Sequence, residues 1–141
     1  MAIHGINHVT LQVRNLDIAE GFYVGVLGLK RVGSRSTMRF YSSGLHAHEL
    51  ALMENPAIEC SKETGFVHLC FNVESEAALH ELYRRCLTNG ISTSGGVNHI
   101  IMHSFYTRDP DGYSIELGID RPRQEWEHDS RAFIVDKPLL W

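Results

Sequence analysis

The sequence predicts an α+β fold of two tandem βαβββ modules within one structural domain. Its length of 141 residues suits about one domain. The chain also resembles itself at an offset of 60 residues, where residues 8–13, HVTLQV, lie over residues 68–73, HLCFNV. Each copy is a β-prone segment that opens with histidine and ends with valine, so each is predicted to be a strand.

A helix is predicted after each of these strands, because apolar positions recur there with the i, i+3, i+4, i+7, i+8 spacing of one helical face. They are Ala19, Phe22, Tyr23, Val26 and Leu27 in the first copy and Leu79, Leu82, Tyr83, Cys86 and Leu87 in the second. Asp17 and Ser75 are the expected N-caps, while Gly28 and Gly90 stand where the helices should end.

Three β-prone stretches follow each helix and complete the two modules. They are residues 30–36, 38–42 and 48–54 in the first half and 91–93, 100–107 and 113–118 in the second. Asp109-Pro110-Asp111-Gly112 predicts a turn before the last stretch. The modules are therefore expected at residues 1–54 and 65–119, with a linker at 55–64. The tail, residues 120–141, shows no clear periodicity and is expected to pack over a surface or a partner.

Composition and charge narrow the classes of function. Thirteen basic against 17 acidic residues give a net charge of −4, which disfavours nucleic acid as a partner. No apolar run reaches the roughly 20 residues that span a bilayer, and residues 1–5 do not resemble a signal peptide. A cytoplasmic protein without a membrane partner is therefore expected. Cys60, Cys70 and Cys86 lack C-x-x-C spacing and are expected to be buried small apolar residues.

Histidine is abundant, with nine residues, and two of them occupy equivalent positions. His8 and His68 open the first strands of the two copies, and a pseudo-twofold arrangement would bring them together. One strand histidine alone is more often a core residue than a ligand, but the pair favours a metal site. Glu116 is the third candidate, because a buried carboxylate is costly unless paired or metal-bound; otherwise it is a half-exposed strand residue. Two histidines and a carboxylate form a facial triad, which suits Fe(II), with Mn(II) or Zn(II) as alternatives.

Four motifs accompany this triad: INHVTL at residues 6–11, FY and VLGL at 22–29, GFVHL at 65–69, and the segment 105–117 with FY, DPDG and IEL. Together they resemble the vicinal oxygen chelate superfamily, which includes glyoxalase I, fosfomycin-resistance transferases, bleomycin-resistance proteins and extradiol dioxygenases. The resemblance covers residue 6 to about residue 126. It implies that the modules form a partly open mixed β-barrel or cup, with metal ligands at His8, His68 and Glu116.

Further residues resemble the extradiol dioxygenase branch, in particular the single-domain catechol 2,3-dioxygenases. In residues 44–52, His48 matches the active-site acid/base that precedes a short apolar run, although Ala47 replaces that motif's neighbouring histidine. A group that titrates near neutrality suits this role. His99 and Tyr106 match residues that contact substrate and bound oxygen. His99 and His103 are expected on one face of one strand, with His103 at the surface or supporting the site.

The predicted function is an Fe(II)-dependent extradiol dioxygenase that acts on a small catechol-type substrate with O2, in a homodimer. Mn(II), Zn(II) or Ni(II) are the alternative metals. A fosfomycin-type thiol transferase would use the same ligands but needs cationic contacts; residues 94–105 contain no Lys or Arg, although Arg108, Arg121 and Arg123 could approach. A glyoxalase-type lyase or isomerase would need a fourth ligand, for which Glu49 and Glu54 are candidates. A binding module is the last alternative, and the retained triad argues against it.

Overall fold

The chain divides into two compact units, a first unit at Met1–Ser61 and a second unit at Lys62–Trp141. The structure is a computed structural model that describes residues 2–59 and 65–141. Each unit contains the βαβββ order, which confirms the predicted fold class. Among the described residues, no helix is both long enough and apolar enough to cross a membrane.

The first unit is a four-stranded sheet with a helix on one face. Its elements are β1 (Val9–Val13), α1 (Leu16–Glu20), a π-helical continuation (Gly21–Val26), β2 (Lys30–Arg35), β3 (Met38–Ser42) and β4 (Leu50–Glu54). The strand order is β1-β4-β3-β2, with β1 parallel to β4 and the other pairs antiparallel.

The helix of the first unit buries Ala19, Phe22 and Tyr23, as the spacing of apolar residues predicts. The N-cap predicted at Asp17 is wrong. The side chain of Asn15 accepts the hydrogen bonds of the backbone N–H groups of the first turn. Asn and Asp are comparable caps, and the chain enters the helix from an extended backbone at Asn15.

The second unit is a five-stranded sheet with a longer helix. Its elements are β5 (Leu69–Asn72), α2 (Glu76–Thr88), β6 (Thr93–Asn98), β7 (Met102–Arg108), β8 (Ser114–Asp120), a 3-10 turn (Arg123–Glu125) and β9 (Lys137–Leu139). The strand order is β5-β8-β7-β6-β9, with β5 parallel to β8. Ser75 caps α2 as predicted, through a bond from the Ala78 N–H.

The two faces of the second sheet differ in chemistry. Leu79 and Cys86 of α2 are buried, as are Phe105, Ile115 and Leu117 of the sheet. Because side chains alternate along a strand, the intervening positions of β5, β7 and β8 point to the opposite face. Those positions are Cys70, Ser104, Tyr106 and Glu116, and the register places Glu116 opposite both Cys70 and Tyr106. This opposite face is called the open face below.

The tail packs on the second unit, and the expected burial of Cys70 is wrong. The tail ends in a strand, β9, which pairs with the edge of β6 through Gly96 and Leu139. Cys86 is buried as predicted, whereas Cys70, on the open face, is exposed. Cys60 and residues 60–64 of the predicted linker lie outside the described residues.

Candidate functional site

Glu116 is the central acidic residue of the open face. Only 4% of it is exposed, and Oε2 lies 3.0 Å from His68 Nε2. The other oxygen, Oε1, is buried and has no hydrogen-bond partner among the described residues. A buried oxygen without a partner has a free-energy cost of about 1–3 kcal/mol, so a ligand that bound Oε1 would offset that cost.

His99, Ser104 and Tyr106 lie beside that carboxylate. His99 Nε2 is 3.1 Å from Ser104 Oγ and 3.4 Å from the Tyr106 hydroxyl. The same nitrogen is 3.6 Å from the unpaired Oε1 of Glu116, which is too far for a hydrogen bond. The second unit therefore brings together four of the six predicted site residues: His68, His99, Tyr106 and Glu116.

The environment of the open face keeps its weak acids neutral. Burial, reinforced by hydrogen bonding with the Glu116 carboxylate and by its charge, raises the pKa of Tyr106 above its ordinary value. Desolvation and the same carboxylate raise the pKa of the Cys70 thiol to about 12. At neutral pH the phenol therefore retains its hydrogen and can donate it in a hydrogen bond.

The first unit brings together the other two predicted site residues, His8 and His48. Their ring centroids are 4.4 Å apart, and Phe40 contacts the His48 ring edge-on at 5.2 Å. His8 Nδ1 lies 2.7 Å from the Asn7 side-chain oxygen. Since that oxygen only accepts, the His8 ring donates from Nδ1 and leaves Nε2 free as a ligand.

The residues of the open face fit a divalent transition metal. The fit depends on the orphaned Oε1 of Glu116 and on the imidazole of His68 next to it, a donor set that suits iron, manganese or zinc. Within residues 2–59 and 65–141, no group of three or more His, Cys, Asp or Glu side chains is spaced to hold a metal ion. The second unit thus supplies a pair of donors, and a metal would need a further ligand.

The shared strand predicted for His99 and His103 is wrong. β6 ends at Asn98 and β7 begins at Met102, and Ile100 adopts a left-handed φ of 70° between them. His103 Nδ1 contacts Glu76 Oε1 of α2 at 2.7 Å, so His103 points away from the open face. It is a supporting residue between sheet and helix.

The two candidates for a fourth ligand in the first unit both accept hydrogen bonds from backbone N–H groups. Glu49 accepts hydrogen bonds from the backbone N–H groups of Ser43 and His46. Burial alone would raise the pKa of Glu49, but these hydrogen bonds have the larger combined effect, and the pKa is lowered. Glu54 accepts the N–H of Leu16 at 3.0 Å.

The strand registers also identify the counterpart of Glu116 in the first unit. Cys70 pairs with Glu116, and Thr10, which corresponds to Cys70 in the repeat, pairs with Ala51. The methyl group of Ala51 therefore stands in the first unit at the position that corresponds to the Glu116 carboxylate of the second unit.

The three arginines named as possible anion contacts are each paired within the second unit. Arg108 donates to the carbonyl of Gly112. Arg121 bridges Glu76 and Glu125, and Arg123 pairs with Glu127.

Two residues near the site were not assigned from the sequence. Ser104 stands two positions before Tyr106 on β7, so strand alternation could have placed it on the same face. Asp136, whose Oδ1 lies 2.6 Å from His99 Nδ1, precedes β9 in a tail without periodicity, and no local pattern marks it.

Comparisons with known proteins agree with this fold. The family model for the Glyoxalase/Bleomycin resistance protein/Dioxygenase superfamily matches residues 5–117. A catechol-2,3-dioxygenase of Bacillus subtilis (strain 168) is 28% identical over 133 residues, which cover 92% of this chain and 46% of that protein. The metallothiol transferase FosB of Shouchella clausii (strain KSM-K16) is 32% identical over 120 residues, 82% of this chain and 80% of that one.

A solved glyoxylase/bleomycin resistance protein/dioxygenase domain from Frankia sp. EAN1pec has a similar fold. Its TM-score is 0.71 at 27% identity, over 85% of this chain and all of that one. The chain spans 45–62% of the length of the curated dioxygenases that it matches. The family match covers most of the chain, and the chain belongs to the Glyoxalase/Bleomycin resistance protein/Dioxygenase superfamily.

Proposed function

We propose that this chain is a metal-dependent extradiol dioxygenase that cleaves a catechol-type aromatic diol with O2. The observation that carries the proposal is the Glu116 carboxylate, which is buried beside His68 with one oxygen that has no hydrogen-bond partner in the described part of the chain. The side chains of His99 and Tyr106 lie beside this carboxylate and can form hydrogen bonds with an oxygen-rich substrate. The similarity to dioxygenases supports the same chemistry.

The proposed metal ligands are His68 and Glu116, with His8 as the third. His8 enters the proposal because it is the repeat equivalent of His68 and has a free Nε2. Fe(II) is the proposed metal, with Mn(II), Zn(II) or Ni(II) as alternatives. When bound, Fe(II) would supply the redox coupling between an aromatic diol and dioxygen, which react too slowly on their own.

The chain's own residues would manage the protons. His48 would accept a proton from a catechol hydroxyl and return it later in the cycle, since imidazole titrates near neutrality. Tyr106 would donate a hydrogen bond to the catecholate oxygen from a phenol that burial keeps neutral. His99 would present Nε2 to the substrate from the same face.

The two alternative enzyme classes are less consistent with the site. A phosphonate-binding thiol transferase needs free cations, but Arg108, Arg121 and Arg123 are engaged within the second unit. A four-ligand lyase needs a carboxylate where Ala51 stands.

Oxygen uptake tests the proposal. Protein loaded anaerobically with Fe(II) is mixed with a panel of catechols that includes 2,3-dihydroxybiphenyl, and the yellow ring-opened product is followed by absorbance. His68→Ala is the metal-site control. Uptake matched by product in the wild type and absent in the control is the expected result. Bound metal without uptake would reject the dioxygenase, and no bound metal would reject the ligand set.

A cytoplasmic homodimer is part of the proposal, and sedimentation of the purified protein tests the dimer.

A further inference from the structure

The C-terminal segment reaches the site through one side chain, Asp136. Its Oδ1 lies 2.6 Å from Nδ1 of His99, although 37 positions separate the two residues. Asp136 is 67% exposed and His99 only 19%, so the carboxylate approaches the ring from the solvent side.

This contact determines which nitrogen of His99 carries hydrogen. An ionised carboxylate accepts hydrogen bonds and cannot donate, so Nδ1 must be the donor. In the neutral ring Nε2 is then an acceptor, and it faces the hydroxyl groups of Ser104 and Tyr106.

Backbone hydrogen bonds and side-chain contacts both hold the segment after Asp136 in place. β9 pairs with β6 from Gly96 to Asn98. Trp141 stacks on Tyr83 of α2 at 5.1 Å, with 13° between the rings. It also covers Gly96 closely, because a Cβ at that position would lie 2.1 Å from Trp141 Nε1. A docked tail therefore holds Asp136 at a fixed place.

We propose that Asp136 is a positioning residue, which fixes the ring orientation and tautomer of His99 so that Nε2 is presented to the substrate. The tail then contributes a residue to the site. This inference rests on the proposed function for the role of His99 in turnover, but its structural content does not.

The test uses the full-length protein and three variants. Asp136→Ala removes the acceptor, and Asp136→Asn keeps a neutral acceptor oxygen in the same place. Glu127→Ala is the matched control, because it removes a tail carboxylate whose partners, Arg123 and His128, are not site residues. Nitrogen-15 NMR of the histidine rings in metal-free protein, under conditions where His99 is neutral, reports the tautomer directly. The His99 signals are assigned from their loss in His99→Gln.

Wild type, Asp136→Asn and Glu127→Ala should show hydrogen on Nδ1 of His99, and Asp136→Ala should lose that preference. An unchanged tautomer in Asp136→Ala would overturn the proposal, whether or not the protein is a dioxygenase. In catechol turnover, Asp136→Ala should lower kcat about tenfold or more with little change in KM, and Asp136→Asn should recover much of it. Equal kcat values in wild type and Asp136→Ala would also overturn it. If the wild type itself consumes no oxygen, the proposed function fails and the NMR result alone decides.

Discussion

Replacing Glu116 by methionine should stabilise the metal-free protein while abolishing its response to metal. Within residues 2–59 and 65–141 the carboxylate has a buried oxygen without a hydrogen-bond partner, and such a group costs about 1–3 kcal/mol. Methionine has a similar length and no oxygen to satisfy. His68 loses its partner at little cost, since its side chain is 36% exposed and water can replace the carboxylate. At about 3 °C per kcal/mol for a chain of this size, Tm should rise by roughly 3–9 °C.

Metal should offset most or all of the stability difference between the two proteins. A metal that binds only the folded wild type at 100 times Kd stabilises it by about 2.7 kcal/mol. The variant has lost a ligand and should gain nothing. Thermal unfolding followed by circular dichroism, with chelator or with Mn(II), measures both effects.

Glu54→Met is the matched control for this experiment. Its carboxylate accepts the Leu16 N–H, so the same substitution there removes a satisfied acceptor and should lower Tm with or without metal. A lower Tm for Glu116→Met than for the wild type in chelator would refute this prediction, and so would an equal rise of both Tm values with Mn(II).

Three further predictions concern other parts of the chain. Gly96→Ala should displace the Trp141 ring, at a cost of about 1–3 kcal/mol, and shift tryptophan fluorescence towards that of a solvent-exposed indole; an unchanged spectrum would contradict the packing. Glu49→Gln should destabilise the protein at neutral pH. Because the folded-state pKa of Glu49 is lowered, its contribution is fully present above pH 4.5 and is lost as the pH falls through the folded value, so the two unfolding curves should converge in acid; a gap that persists there would contradict this. His48→Ala should retain bound Fe(II) but lose catechol turnover by about 100-fold, and unchanged turnover would reject the acid/base role.

The parts of the fold that were predictable from the sequence are those that depend on local patterns. Both helices and most strands of the two modules follow from the repeat and from apolar spacing, and Ser75 caps α2 as expected. The stretch predicted at 91–93 shares only Thr93 with β6 (Thr93–Asn98). The predicted cap at Asp17 failed because several polar residues near a helix start can fill that role, and only the backbone geometry selects Asn15.

The parts that were not predictable depend on long-range contacts. β9 is a strand because it pairs with the edge of β6, and Asp136 reaches His99 only through that docking. The turn that separates His99 from His103 contains Ile100 at positive φ, a residue type that gives no turn signal. The six predicted site residues fall into two clusters, one in each unit, and their shared role as one catalytic site remains a prediction.

Isotope labelling of the product tests the central claim most directly. Fe(II)-loaded protein is allowed to cleave a catechol under oxygen-18 gas, and the ring-opened product is analysed by mass spectrometry before its aldehyde oxygen exchanges with water. Both atoms of one oxygen molecule should enter the product, and His68→Ala should form none. A product without label, or equal product from His68→Ala, would contradict it.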